Sequence, residues 1–316
     1  MQCRIQRILL QRSSGIVGML WCVGVWSAVQ MAAVADEPAF VVAGYLPDYR
    51  LNDWTADRAH LTDLICFGMS APEDGRFPDG TFSEEQLAHL KQLKTTLKCR
   101  LLFTVGGWNN SQGFAKLAAS DVLRHQFIIN ARSFCRQHGF DGIDYDWEHP
   151  EGPDQLTQYG LLIQETHNEF GPHHLMVTAA MAGWQLLDSR TYAAIDRIHL
   201  MSYDHDFPQA TMQKSRDDVS RLVTAGCARS KISLGLPFYG RNASGDARTY
   251  AELCADGADG SDLHNGFALN GPQTIAEKVR FARQEKLAGV MIWEVAQDAD
   301  GHFSLLNIIN NARTGH

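Results

Sequence analysis

The chain has 316 residues, 45% of them hydrophobic and 20% charged, and its formal net charge is −8. An acidic chain with no run of basic residues is poorly suited to nucleic acid or to an anionic surface. The charge therefore favours a neutral substrate.

Residues 1–35 have the order of a secretory signal peptide. Three arginines come first, an uncharged apolar run follows over 15–29, and Ala33-Val34-Ala35 is a small-x-small cleavage site before Asp36. An uncleaved membrane anchor is the alternative, but the run is shorter than the roughly 20 residues of a spanning helix. Cleavage leaves 281 residues with a formal charge of −11, because the leader holds three arginines and no acid. We expect a secreted protein, periplasmic or extracellular.

Two of the seven cysteines lie in this leader, which leaves five. An odd number cannot all pair within one chain, and the spacings match no zinc motif. One disulfide is compatible with the sequence, which does not select its partners.

The rest of the chain alternates short apolar runs with longer amphipathic ones. The predicted strands are Phe40–Tyr45, Leu61–Met69, Arg100–Val105, Gly139–Trp147, Leu175–Met181, Arg197–Tyr203, Ile232–Phe238 and Gly289–Trp293. The predicted helices are Ser83–Leu97, Ser120–His138, Gln155–Phe170, Thr211–Ala225 and Thr274–Lys286. Alternation of strands and helices predicts a parallel sheet. Eight repeats in this length favour the closed α/β (β/α)8 TIM barrel over an open sheet.

Two local features refine this prediction. Ser83 and Gln86 have the spacing of a capping box at the first helix. Arg241–Gly271, about 30 residues rich in Gly, Ala and Asp, separates the seventh strand from its helix, and we expect a long loop there. No Pro/Ser-rich linker interrupts residues 36–316, so a single domain is predicted.

Three acids alternate with apolar residues at the end of the fourth predicted strand. Side chains of a strand alternate between its faces, so Asp144, Asp146 and Glu148 share one face. In a barrel the apolar face meets the helices, and the acids point inward at the end where barrel active sites lie.

Carboxylates roughly 6–7 Å apart along a strand cannot all ionise cheaply when they are partly desolvated. At least one should hold a proton near neutral pH, as a general acid requires. A calcium site and a solvated charged edge are the alternatives. The position inside a strand and the alternation with apolar residues argue against both.

The motif Asp141-x-x-Asp144-x-Asp146-x-Glu148 resembles the DxxDxDxE signature of glycoside hydrolase family 18, the chitinases. Supporting segments fall on other predicted strands: Gly44-Tyr45-x-Pro47, Thr104-Val105-Gly106-Gly107-Trp108 (with Thr where the family has Ser), Met201-Ser202-Tyr203-Asp204 and Met291-Ile292-Trp293. The resemblance extends from Phe40 to about Val295 and suggests a small form without the α+β insertion that many members carry.

The resemblance implies retention by substrate assistance, an exception to the two-carboxylate scheme. Glu148 would protonate the glycosidic oxygen while the substrate's acetamido oxygen attacks the anomeric carbon. Asp146 would steady the acetamido nitrogen, Asp144 would hold or share a proton with Asp146, and Tyr203 would position the acetamido oxygen. Asp141, of opposite strand parity, is interpreted as structural.

Trp293 is expected beneath the reacting sugar, although ordinary core packing is the alternative for any single aromatic residue. The other candidate substrate-binding residues are Tyr45, Asp204, Met201, Trp108, Gly107, Met291 and, on position alone, Trp184. His149 is placed to tune the acid, but a loop histidine is more often incidental. No metal or organic cofactor is implied, and a monomer acting on an N-acetylglucosamine oligo- or polysaccharide is expected.

The absence of a large insertion predicts an open cleft and internal cuts in the chain. An endo-β-N-acetylglucosaminidase acting on N-glycans would share the same acids and remains an alternative. A non-catalytic sugar-binding relative is a third hypothesis, which the presence of Glu148 disfavours.

Overall fold

A computed structural model describes residues 40–52, 54–55, 60–78 and 80–315. The predicted signal peptide lies outside these residues. Within the described ranges, no helix combines the length and the apolar character needed to cross a membrane.

Eight parallel strands close into a barrel, which confirms the predicted fold class and all eight predicted strands. They are β1 (Val41–Pro47), β2 (Asp63–Met69), β3 (Arg100–Gly106), β4 (Gly142–Asp146), β5 (Met176–Ala182), β6 (Arg197–Met201), β7 (Ile232–Pro237) and, after the insertion described below, β12 (Gly289–Trp293). The barrel closes between its first and last strands, where Val41 pairs with Gly289.

Helices cover the outside of the barrel. The bounds are α1 (Glu84–Leu97), α2 (Phe114–Ala119), α3 (Asp121–His138), α4 (Gly152–Phe170), α5 (Ser189–Ala194), α6 (Met212–Thr224), α7 (Tyr250–Ala255), α8 (Pro272–Gln284) and α9 (Leu305–Thr314). The five predicted helices are confirmed, and Ser83 with Gln86 forms the predicted capping box. The sequence prediction missed α2, α5 and α7, whose six residues are too few to display a helical period, and also α9.

The segment between β7 and α8 is not the plain loop predicted from its composition. It contains α7 and a four-stranded antiparallel sheet built from β8 (Tyr239–Arg241), β9 (Ala247–Thr249), β10 (Leu263–His264) and β11 (Phe267–Ala268). The expectation that this segment holds no α+β insertion is therefore wrong, because it contains both a helix and a small sheet. Strands of two or three residues carry too little alternation to be recognised among Gly and Asp.

The end of the barrel at which the strands begin is closed by a buried ion cluster. Asp63 accepts hydrogen bonds from Arg100 Nε at 2.5 Å and from Arg197 Nη1 at 2.8 Å. Burial alone would raise the pKa of Asp63, but the two guanidinium groups outweigh it and the pKa is lowered. An ion cluster at this face of a barrel serves stability, since the chemistry of barrel enzymes occurs at the opposite face.

The five cysteines among the described residues are all free. Four of them are buried, and burial raises the pKa of Cys99 to about 11, so this thiol stays protonated at neutral pH. No disulfide forms among the described residues, and the fold is stabilised by its core.

Candidate active site

The acids predicted from the fourth strand lie at the end of the barrel where the strands finish. Asp144 and Asp146 are buried inside the barrel, while the residues that alternate with them, Ile143, Tyr145 and Trp147, pack in the outer core. Strand β4 ends at Asp146, one residue before the end predicted from the sequence. Glu148 therefore lies two residues beyond the strand, on the loop that follows. Strand alternation therefore places two carboxyl groups, and the following loop places the third.

Asp144 is fully buried and is surrounded by hydrogen-bonding side chains from four other strands of the barrel. Oδ2 accepts from Tyr45 at 2.7 Å and from Thr104 at 3.1 Å. Oδ1 accepts from Thr178 at 2.6 Å and lies 3.1 Å from His199 Nδ1. These contacts fill the lone-pair positions of one carboxylate.

Asp146 has a very different environment. Its Oδ1 is buried and has no hydrogen-bonding partner among the described residues. Burial, together with the negative charges of Glu148 and Asp144, raises the pKa of Asp146 well above its usual range. Burial and the acidic neighbours therefore favour the protonated form of Asp146 over its anion.

Glu148 is also a candidate acid. Burial raises its pKa to about 7, with the negative charge of Asp204 adding to the effect and the backbone N–H of Trp108 opposing it. Its backbone N–H donates to Ser111 Oγ at 3.0 Å, which fixes the loop after the strand. A carboxyl group with this pKa can donate a proton at neutral pH and accept one afterwards.

Two glycines at the end of β3 allow the chain to approach the acids. Gly106 and Gly107 have φ values of +105° and +100°, a conformation that side-chain-bearing residues rarely adopt. A Cβ on Gly106 would lie 2.2 Å from the carbonyl oxygen of Asp146, and one on Gly107 would lie 2.3 Å from the ring of Phe67. Gly107 N–H donates to the same Asp146 carbonyl at 2.6 Å. The role of Gly107 in this structure is thus to let the backbone pack beside Asp146.

Five of the residues predicted to act in catalysis or substrate binding meet in one cluster of aromatic and methionine side chains inside the barrel, called the aromatic cluster below. It contains Tyr45, Tyr203, Met201, Met291 and Trp293. The Tyr203 hydroxyl donates to Met291 Sδ at 3.7 Å, and the ring centroid of Trp293 lies 5.6 Å from that of Tyr45. Trp293 is only half-buried, so part of its ring remains available above this cluster.

Asp204 lies at the rim of the barrel, where it is joined to the insertion. It accepts hydrogen bonds from Tyr239 at 2.8 Å and from Arg241 Nε at 2.5 Å. Sequence reasoning missed both partners, because Arg241 was interpreted as the first residue of a loop. The insertion is therefore attached directly to a residue that raises the pKa of Glu148.

Trp108 and Trp184 stand apart from the aromatic cluster. Their side chains are exposed, at 70% and 60%. The edge of the His149 ring faces Trp184 at 4.7 Å between centroids, and His149 Nε2 lies 3.6 Å from Glu148 Oε2. A cleft of about 290 Å³ borders Glu148 and His149 and is lined by neither exposed tryptophan.

Asp141, the first acid of the sequence motif, lies outside the site. It precedes β4 and accepts a hydrogen bond from the backbone N–H of Leu101 at 2.8 Å. It also forms an ion pair with Lys94 at 2.7 Å. These contacts tie β4 to β3 and α1. In the part of the chain that the structure describes, no group of His, Cys, Asp and Glu side chains has a metal-binding arrangement.

Sequence reasoning also missed His199 and Thr178. Alternation along β6 places Arg197, His199 and Met201 on the inner face, which was a usable signal that a histidine lies inside the barrel. Its contact with Asp144 depends on the mutual register of three strands, which alternation alone does not give.

Residues 55–298 match the family model described as glycosyl hydrolases family 18. Chitinase 1 from Aphanocladium album is 28% identical over 285 residues, which cover 71% of this chain and 67% of that protein. Probable chitinase 2 from Drosophila melanogaster is 28% identical over 310 residues, covering 75% of this chain and 64% of that protein. A GH18 chitinase from Flavobacterium johnsoniae has the same fold, with a TM-score of 0.78 at 24% identity over 88% of this chain and 95% of that one.

Proposed function

Because the chain belongs to glycosyl hydrolases family 18 and is a glycoside hydrolase, we propose that it cleaves β-1,4-linked N-acetylglucosamine chains by substrate-assisted catalysis. The observation that carries this proposal is the arrangement of Asp144, Asp146 and Glu148. Asp144, whose carboxylate oxygens accept four hydrogen bonds, lies beside Asp146, whose pKa is raised well above its usual range, and Glu148, with a pKa of about 7, lies beyond them.

In the first step Glu148 gives its proton to the glycosidic oxygen, and the bond between that oxygen and the anomeric carbon breaks. The acetamido oxygen of the same sugar forms a new bond to the anomeric carbon, giving an oxazolinium ion. Asp146 Oδ1, which lacks a partner among the described residues, accepts the hydrogen bond from the acetamido N–H. The Tyr203 hydroxyl donates a hydrogen bond to the acetamido oxygen and aligns this oxygen for attack.

In the second step the Glu148 carboxylate takes a proton from water, and the resulting hydroxide attacks the anomeric carbon from the side that the leaving group has vacated. The oxazolinium ring opens, and the sugar keeps its original anomeric configuration. Glu148 ends protonated, so it is ready for another turnover. A pKa of about 7 suits both roles, because the group must lose and regain a proton near neutral pH.

Aromatic side chains are suited to hold the sugar chain. Trp293 lies half-buried over the inner cluster, and Trp108 and Trp184 present exposed rings around the mouth of the barrel. The apolar faces of pyranose rings pack on such surfaces. We assign Trp293, with Tyr45, Met201 and Met291, to the reacting sugar and the two exposed tryptophans to neighbouring units.

We further propose that the enzyme is a secreted monomer that cuts internally in accessible chains. The insertion supports internal cutting, because its four strands are only two or three residues long and form a low wall on the cleft. The secretory assignment rests on the order of residues 1–35 in the sequence.

The test is incubation of the purified protein with chitohexaose, with soluble chitin and, separately, with a high-mannose glycoprotein. Early release of mixed internal fragments from chitohexaose is expected. Cleavage of the glycoprotein without cleavage of chitohexaose would replace this proposal with an N-glycan hydrolase. Strictly processive release of dimers from one chain end would contradict internal cutting.

A further inference from the structure

We propose that His199 is a positioning residue for this reaction, and that its Nδ1–H holds Asp144 as an anion beside a protonated Asp146. The inference rests on the proposed function for its catalytic consequence, but its structural part can be tested without substrate. His199 lies on β6, is fully buried and belongs to no motif recognised in the sequence.

The hydrogen bonds determine which nitrogen of His199 carries the proton. Nδ1 lies 3.0 Å from the Tyr45 hydroxyl and 3.1 Å from Asp144 Oδ1. Tyr45 has one proton, which it donates to Asp144 Oδ2 at 2.7 Å, so its oxygen can only accept from His199. The contact with Tyr45 therefore requires a proton on Nδ1, and the same N–H lies within hydrogen-bonding distance of Asp144 Oδ1.

The other ring nitrogen supports a neutral imidazole. Nε2 is buried and has no hydrogen-bonding partner among the described residues. A second proton, placed there on a ring that already carries one on Nδ1, would add an unpaired N–H donor and a buried positive charge to the barrel interior, and both cost free energy. The neutral ring with its proton on Nδ1 satisfies Tyr45 and Asp144 together.

With this proton assigned, Asp144 receives four donors, two on each carboxylate oxygen, from Tyr45, Thr104, Thr178 and His199. A proton on Asp144 would have to displace one of them. Asp146 has an oxygen with no such partner, and its pKa is raised by burial and by its acidic neighbours. In the free enzyme, a proton held by this pair of aspartates therefore lies on Asp146.

The consequence concerns the charge beneath the reacting sugar. The aspartate pair keeps one negative charge, fixed by rigid donors before substrate arrives. A preorganised charge of this kind stabilises the positive oxazolinium ion without reorganisation during the reaction. His199 would thus act on the rate of the chemical step and have little effect on substrate affinity.

The surroundings of the pair contain few other groups that titrate. Tyr45 faces it from β1, Tyr203 from the loop after β6, and Glu148 from the loop after β4. Burial raises the pKa of both tyrosines well above their usual range, so they remain neutral. A change in the acidic limb of the kcat profile would accordingly report the aspartate pair.

The experiment compares His199→Leu with His199→Asn. Leucine removes the donor, and we expect kcat to fall about tenfold to a hundredfold, the effect of losing a hydrogen bond to a charged group, with KM within about twofold of wild type. The acidic limb should move to higher pH, because the aspartate pair loses a donor that stabilises its negative charge. Asparagine places an amide N–H near the position of Nδ1 and should restore most of the lost kcat.

Two further measurements separate positioning from packing. His199→Leu should have little additional effect on kcat in an Asp144→Asn background, because the anion it holds is already gone. Nitrogen-15 NMR of the substrate-free protein, assigned by comparison with His199→Asn, should show a neutral ring protonated on Nδ1. This second readout decides the structural part even if the leucine variant does not fold.

A ring protonated on Nε2, equal losses in the leucine and asparagine variants, or additive losses in the Asp144→Asn background would each overturn the inference. A wild-type protein that cleaves no N-acetylglucosamine polymer would instead overturn the proposed function, and the NMR result would still test the state of His199.

Discussion

Arg241 and Asp204 form a two-pronged ion pair at the mouth of the barrel, with Nε to Oδ1 at 2.5 Å and Nη2 to Oδ2 at 3.2 Å. Asp204 in turn raises the pKa of Glu148, as the second cause after burial. The insertion therefore influences the pKa of Glu148 through Asp204, because the positive charge of Arg241 offsets part of the negative charge that Asp204 presents to Glu148.

This relationship predicts shifts of opposite sign in the pH dependence of kcat/KM. Asp204→Asn removes a negative charge, so the pKa of Glu148 falls and the alkaline limb moves to lower pH. Arg241→Gln leaves Asp204 without its guanidinium, so the limb moves to higher pH. Each shift should be on the order of half a pH unit, because both groups are partly exposed and screened. The measurement is the initial rate on a chromogenic chitobioside from pH 4 to 9.

Asp256 provides a matched control, since it is a similarly exposed acid paired with Arg248 at 3.0 Å in the same insertion. Asp256→Asn should leave the alkaline limb at its wild-type position. Shifts of the same sign in the Asp204 and Arg241 variants would contradict the electrostatic account.

Glu148→Gln should reduce kcat by about two to four orders of magnitude, the usual contribution of a positioned general acid. The amide keeps the shape of the side chain but has no transferable proton. Binding of chitotetraose, measured by calorimetry, should be retained. Undiminished hydrolysis by this variant would show that Glu148 is not the acid.

Trp184→Ala and Trp108→Ala should raise KM for chitohexaose more than they lower kcat, because each removes an exposed ring that contacts sugars beside the scissile bond. Hydrolysis of a short chromogenic substrate should change less, since it occupies fewer positions. Leu161→Ala, at an apolar residue exposed to 41% on α4, is the control for the loss of a surface side chain. If KM is unchanged for both tryptophan variants, the sugar chain runs elsewhere.

Asp63→Ala should lower the free energy of unfolding by about 3–5 kcal/mol, because it leaves the buried Arg197 without its partner. The kcat/KM of the folded variant should stay near that of wild type, since the cluster lies at the opposite end of the barrel. Urea unfolding measures the first quantity. Asp74→Ala removes an exposed partner of Arg76 and should cost less than about 1 kcal/mol.

The stabilising effect of Asp63 should also depend on pH. Its pKa is lower in the folded protein, so its contribution is complete above the usual pKa of an aspartate and is lost as pH falls through the folded value. The difference in stability between wild type and Asp63→Ala should shrink in acid. A difference that grows as pH falls would contradict the assignment.

The sequence predicts the barrel well because each strand is a separate apolar run whose signal does not depend on the rest of the chain. The same alternation identifies Asp144 and Asp146 as neighbours inside the barrel. It treats Glu148 as the next position after a strand that ends at Trp147, whereas the observed strand already ends at Asp146, because alternation cannot show where hydrogen bonding between strands stops.

The features that the sequence did not predict depend on contacts between distant segments. His199 reaches Asp144 across 55 positions, and Arg241 reaches Asp204 across 37. The small sheet after β7 forms from strands too short to show a period, and it is held in place by Tyr239 and Arg241 at the rim. Such contacts depend on register and loop path, which local patterns do not contain.

The central claim, that the substrate's own acetamido group is the nucleophile, is tested most directly by the anomeric form of the first product. Proton NMR can follow chitotetraose hydrolysis within the first minutes, before the anomers equilibrate. With the acetamido group as nucleophile, the new reducing end should appear as the β-anomer. Appearance of the α-anomer first would mean inversion by a water molecule and would contradict the mechanism proposed for Glu148 and Asp146.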